Sequence, residues 1–244
     1  MRWFMRLSYR GASYHGWQVQ PGDVTVQGTV EAAIATLLRR PVAVTGAGRT
    51  DAGVNARLMV AHLDLPDGFD PRTGTFIRSL NSICGSDIAI ASFEPVASDA
   101  HARFDATART YRYFVHTVKD PFAGELSWQA PPTLDFDAMN CAAALLVGRR
   151  DFTSFSKLHT DVKTNICDLR RAVWVEERPA RWYFEITADR FLRNMVRAVV
   201  GTLVDVGRRK MPPEAVIDIL DLRNRCAAGT SMPAGPLFLW NIEY

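Results

Sequence analysis

Residues 41–66 read PVAVTGAGRTDAGVNARLMVAHLDLP, and the architecture of the whole chain turns on them. The flanks, PVAVTGAG (41–48) and LMVAHLDLP (58–66), are short apolar runs of strand length. Between them Gly46, Gly48 and Gly53 surround Arg49 and Asp51. Glycine is used where the backbone must take a conformation closed to other residues, or where something must come close. The stretch therefore predicts two strands joined by a loop that presents one carboxylate.

The neighbouring elements arrange themselves around that pair. Upstream, RWFMRLSY (2–9) predicts a strand, with Trp3, Met5 and Leu7 alternating against Arg2 and Arg6. TVQGTVEAAIATLLRR (25–40) predicts a helix with Thr25 as its cap and Val26, Val30, Ile34, Leu37 and Leu38 at helical spacing. Downstream come a shorter helix in PRTGTFIRSLNSI (71–83) and a strand in SDIAIASFEPVA (86–97). The order is β-α-β-β-α-β.

The second half follows that order loosely. RTYRYFVHTV (109–118) predicts a strand, and DFDAMNCAAALLVG (135–148) a helix starting at Asp135 and ending at Gly148. LRRAVWVEERPARWYFEITADR (169–190) predicts a hairpin turning around Glu177 to Ala180. FLRNMVRAVVGTLVDVG (191–207) predicts a strongly patterned helix, on which Arg190, Arg193 and Arg197 would form one ridge. PPEAVIDILDL (212–222) adds a helix with proline at its start, and PLFLWNIEY (236–244) a closing strand. The expected fold class is α+β: two ferredoxin-like halves, residues 1–105 and 106–244, packed together and sharing one mostly antiparallel sheet flanked by helices.

Composition narrows the classes of function. The chain has 244 residues, 48% of them hydrophobic, enough for one large core or two small ones. A net charge of +3 is only weak support for an anionic partner. Basic residues are nearly all arginine, the lysines being Lys119, Lys157, Lys163 and Lys210. Arginine suits bidentate phosphate contacts, although GC-rich coding would give the same bias. Cys84, Cys141, Cys167 and Cys226 are far apart and form no C-x-x-C. His15, His62, His101, His116 and His159 show no metal-ligand spacing. MRWFMRLSYRG at the start reads as a strand and not as a signal peptide, and no apolar run reaches the roughly 18 residues of a membrane span. A cytoplasmic protein without membrane or metal is the expectation.

The loop itself allows three readings. A phosphate cradle is disfavoured, because the G-K-[ST] ending of a P-loop is missing and no G-x-G-x-x-G leads into a helix. A plain strand-end turn with Asp51 solvated is the bland reading. A catalytic carboxylate in a groove is the third, with Gly48 and Gly53 letting a substrate backbone approach and Asp51 acting as nucleophile or general base.

Five ordered motifs bear on that choice: YRGASYHGWQVQPGDVTVQGTVEAAI (9–34), GRTDAGV (48–54), HARFDATARTYRYFV (101–115), DFTSF (151–155) and FLRNMVRAVVGTL (191–203). Together they resemble the TruA family of tRNA pseudouridine synthases over nearly the whole length. The resemblance implies the pseudouridine synthase fold. It implies isomerisation of uridine to pseudouridine on the 3′ side of the tRNA anticodon stem-loop, without cofactor or metal. It makes Asp51 the nucleophile, attacking ribose C1′ or base C6. Arg49 resembles the family arginine that holds the flipped nucleotide or fills its place; simple pairing with Asp51 is the alternative for it. Tyr111 matches the tyrosine that stacks on the target base, against a core role beside Tyr113 and Val115. Arg197 matches the arginine paired with the catalytic aspartate, and Leu237 an apolar residue lining the base pocket. The resemblance also implies a homodimer holding tRNA across both subunits.

The chain departs from the family pattern in places. Asn55 stands for a usual His, Cys84-Gly85 for Leu-Pro, Ala100 for Phe, Arg150 for His and Pro236 for Gly. None of these touches Asp51, Tyr111 or Arg197. The rival expectation is a catalytically inactive RNA-binding protein of the same fold, disfavoured because Asp51 and Tyr111 are both present.

Overall fold

The computed structural model describes residues 1–157 and 164–244, so His159 and Lys163 lie outside the described residues. The fold is mixed α+β, and the chain divides into two compact units. The first holds Met1–Thr107 together with Leu239–Tyr244, and the second Ala108–Phe238.

In the first unit, β1 (Arg2–Tyr9) lies between β4 (Ile88–Pro95) and β3 (Asn55–Asp64), antiparallel to both. A short β2 (Thr45–Gly46) pairs β3 on its other side. The spatial order β4-β1-β3-β2 is that of a ferredoxin-like half, reached here because both crossovers carry a helix. Those helices are α1 (Val26–Leu38) and α2 (Gly74–Cys84). Thr25 and Thr73 cap them, accepting from Gly28 N at 3.2 Å and Phe76 N at 3.4 Å. Met5, Leu7, Ile34, Met59, Leu80 and Ile88 form the core of this unit.

The expected strand over 41–48 shrinks to Thr45–Gly46. Val42 and Val44 are buried as a strand would bury them. Yet the Val44 N–H goes to Glu31 Oε1 at 2.8 Å, and its carbonyl accepts from Gln27 Nε2 at 3.0 Å. Side chains of α1 thus satisfy backbone groups that a ladder would have used, which apolar periodicity does not reveal.

In the second unit the order is β5-β9-β8-β7, antiparallel throughout, from β5 (Ala108–His116), β7 (Gly148–Asp151), β8 (Ile166–Arg178) and β9 (Arg181–Ala188). β6 (Trp128–Gln129) adds a short parallel pairing to β5. The hairpin turns at Pro179–Ala180, where Ala180 has φ +64°. Arg112 faces Glu185 across β5 and β9 in an ion pair of 2.7 Å. Helices α3 (Phe136–Leu145), α4 (Met195–Gly207) and α5 (Ala215–Leu222) accompany the sheet. α4 is buried nearly all round, as its run of valines requires. The closing strand, β10 (Leu237–Glu243), lies next to β3, and its residues from Leu239 onward belong to the first unit.

Two expected boundaries move. The helix expected from Phe191 begins at Met195, because Asn194 takes a left-handed conformation, φ +66°. Arg190 and Arg193 therefore precede the helix, and no helical ridge joins them to Arg197. Gly148 does not end α3: the helix stops at Leu145, and Gly148, at φ +114°, opens β7.

Candidate active site

Asp51 sits half-buried in a loop built by two crossing segments, 10–20 and 46–55. Trp17 N donates to Thr50 O at 3.3 Å and Gly53 N to Tyr14 O at 3.3 Å, so backbone bonds bracket Asp51 on both sides. Val54 N closes a turn onto Asp51 O at 3.1 Å. The Thr50 side chain is buried and shares a 2.8 Å hydrogen bond with the Tyr9 hydroxyl, which anchors the loop to the end of β1. These bonds fix the backbone on either side of Asp51.

The glycines divide their work in a way their spacing did not disclose. A Cβ on Gly46 would stand 2.5 Å from the Trp17 indole, so this glycine makes room for a buried tryptophan and not for a substrate. Gly53 holds φ +78°, the left-handed turn that brings the chain back into β3. A Cβ on Gly48 would meet nothing within 4 Å. Of the two glycines expected to admit a substrate, Gly48 has open space where a side chain would start, and Gly53 has a positive φ. The opposite segment contributes Gly16, whose Cβ would lie 2.4 Å from Thr50 O.

Arg49 is exposed, and it lines a pocket of about 80 Å³ with Trp17, Gln18, Thr45, Gly48 and Arg103. β2 has ended at Gly46, so Arg49 and Asp51 lie outside any strand. Asn55 is 1% exposed, and its Oδ1 accepts from Gly11 N at 2.8 Å. The departure from histidine thus falls on a residue that ties the two segments together.

Tyr111, Arg197 and Leu237 belong to the second unit. Tyr111 points into the sheet's covered face with Tyr113 and Val115, all three buried, and meets the Phe191 ring edge-on at 5.1 Å. Leu237 is buried, and its N–H closes a turn onto Ala234 O at 2.9 Å. Pro236 costs the chain no ladder acceptor, since its carbonyl takes Phe114 N at 3.0 Å. Arg150 is exposed on β7.

Arg197 is held by the 228–232 segment: its Nε donates to Met232 O at 2.5 Å, and its own carbonyl accepts from Met232 N at 3.2 Å. Ser231 in turn accepts from Asn194 Nδ2 at 2.6 Å and from Arg225 at 2.8 Å. Close approach is possible because α4 carries Gly201, where a Cβ would collide with Thr230 O at 1.8 Å. This clamp was not legible in the sequence, which carries no motif over 228–232. Nearby, the Tyr113 hydroxyl is fully buried with no hydrogen-bond partner, and burial pushes its pKa up, with the Arg197 charge opposing.

Among the described residues no group of three or more His, Cys, Asp or Glu side chains could hold a metal ion, and no helix is long and apolar enough to cross a membrane.

Comparison with known proteins gives a consistent result. Residues 142–244 match a family model described as tRNA pseudouridine synthase. The tRNA pseudouridine synthase A of Parabacteroides distasonis is 50% identical, covering 100% of this chain and 96% of that protein. The one from Bacteroides thetaiotaomicron is 52% identical over 100% of this chain and 90% of its own length. That of Bacillus subtilis is 37% identical, with 100% and 99% covered.

Proposed function

We propose, from the fact that this chain belongs to the tRNA pseudouridine synthase family, that it acts on the anticodon stem-loop of tRNA with Asp51 as nucleophile. The reaction is the isomerisation of a tRNA uridine to pseudouridine. The glycosidic N1–C1′ bond breaks, the base turns, and C5 bonds to C1′. C5 loses its proton and N1 gains one, so atoms and electrons balance without an external reagent. The carboxylate's part is to attack C1′, from which C5 displaces it as the new bond forms, or C6, from which it leaves after the new bond has formed.

The observation that carries this assignment is the held position of Asp51. Backbone bonds pin its neighbours on both sides, and open space lies at Gly48, which lines the same pocket as its neighbour Arg49 and stands three residues from Asp51. A uridine in a stem must leave its stack before a side chain can reach it, at a cost of a few kcal/mol. Arg49 holds the flipped nucleotide or fills its place, Tyr111 stacks on the base, Leu237 lines its pocket, and Arg197 belongs to the substrate-binding set by the same family match. The division into residues 1–105, carrying the Asp loop, and 106–244, carrying the tyrosine and arginine, belongs to the same reading. So do a homodimer, a cytoplasmic location and a reaction free of cofactor.

The test is release of tritium from tRNA labelled at uridine C5. Wild type is expected to release it with no additive, and Asp51→Asn to bind tRNA but release none. Turnover by Asp51→Asn at the wild-type rate would sink the nucleophile assignment.

A further inference from the structure

The pocket that Arg49 lines also carries Arg103, to which no role has been assigned. It measures about 80 Å³. Its chemistry suits a phosphate group. Its walls agree: two guanidinium-bearing side chains and the polar groups of Gln18 and Thr45 stand around it, the Trp17 indole is a buried wall, and no carboxylate lines it. Guanidinium offers paired donors matched to phosphate oxygens.

Arg103 also leads to a second feature. Its guanidinium carbon lies 5.9 Å from the centre of the Phe104 ring, which is 75% exposed. A single exposed phenylalanine is ordinary on a protein surface. This one is displayed on a backbone that is tied down. Asp105 Oδ2 accepts from His101 N at 2.7 Å, and His101 Nδ1 accepts from Arg103 N at 3.1 Å and Phe104 N at 3.3 Å. Ala102 N donates to His62 Nδ1 at 3.1 Å, which fastens the loop to β3. The His101 ring backs Phe104 at 4.2 Å and leaves the far side of the phenylalanine to solvent. A rigid, solvent-facing aromatic beside an arginine is how single-stranded and loop nucleotides are stacked.

We infer that this pocket and the Phe104 ring form a subsite for a nucleotide flanking the target uridine, with Arg103 on its phosphate and Phe104 under its base. The inference rests on the tRNA-modifying function above and adds Arg103 and Phe104 as binding residues. It gives the HARF motif a physical role: the histidine and the following aspartate shape the loop, and the arginine and phenylalanine meet the RNA.

The experiment is binding of the full-length protein to an unmodified tRNA transcript over a salt series, with tritium release measured in parallel. Arg103→Gln should flatten the slope of log K against log salt by roughly 0.7–0.9, one phosphate contact. Phe104→Leu should weaken binding at least roughly fivefold, and Phe104→Tyr should restore it, because stacking and not bulk is lost. In both weakened variants the larger part of the kinetic loss should fall on KM. Both side chains are exposed, so thermal melts matching wild type are expected. A wild-type slope in Arg103→Gln, or wild-type affinity in Phe104→Leu, overturns the subsite. If wild type releases tritium while those variants bind as it does, this inference alone fails. If wild type neither binds nor releases, the functional reading fails with it.

Discussion

Gly46 and Gly48 stand two positions apart and answer to different forces. At Gly46 the neighbouring atoms belong to a tryptophan 1% exposed, whose indole cannot swing aside within a packed interior. Gly46→Ala should therefore destabilise the protein by about 1–3 kcal/mol, as overpacking does. Gly48→Ala meets only open space and should stay within about 0.5 kcal/mol of wild type. Urea denaturation of both variants checks this; equal losses would mean that the space at Gly48 is not what it is here. The same comparison shows how far a motif can be read by eye. Asp51, Arg49 and the glycines were legible as a unit because their spacing is unusual. Which glycine serves packing and which leaves room depends on Trp17, twenty-nine positions earlier than Gly46, and no local pattern connects them.

Among the elements, β3 and the 101–105 loop share a titratable joint. His62, on β3, accepts the Ala102 N–H through Nδ1, so its ring must be neutral there. Burial pushes its pKa below the ordinary 6.5, with His101 and Arg2 adding to the effect and Asp64 and Asp105 opposing it. Below pH 6.5 the unfolded chain then binds more protons than the folded one, so stability is lost as pH falls through that region. Thermal melts at pH 7.5 and 5.5 should show a drop for wild type and a smaller one for His62→Gln, whose carbonyl can still accept. An equal drop in both would exclude His62 as a source, leaving His116, which burial also shifts down. Element existence was read correctly from periodicity wherever a cap or a long apolar face marked it, as with Thr25 and α1 or Asp135 and α3. The failures were elements defined by a single backbone angle, at Asn194, or by side chains replacing a ladder, at Val44.

For the whole molecule, the expected homodimer predicts a sedimentation mass of twice 27.2 kDa at micromolar concentration. A single 27.2 kDa species there would refute it. Asp51, Tyr111 and the closing strand were all present as sequence signals, and so was the order β-α-β-β-α-β, because hydrophobic period and motif spacing are properties of the chain alone. The glycine-rich loop that carries Asp51 was legible in the same way. The packing of Trp17 under Gly46, the clamp of 228–232 on Arg197, and the meeting of Arg49 with Arg103 at one pocket came only with the folded chain. Each joins segments from twenty-nine to fifty-four residues apart. Such contacts exist only once the core has brought those segments together, and hydrophobic pattern records which face is buried, not what it is buried against.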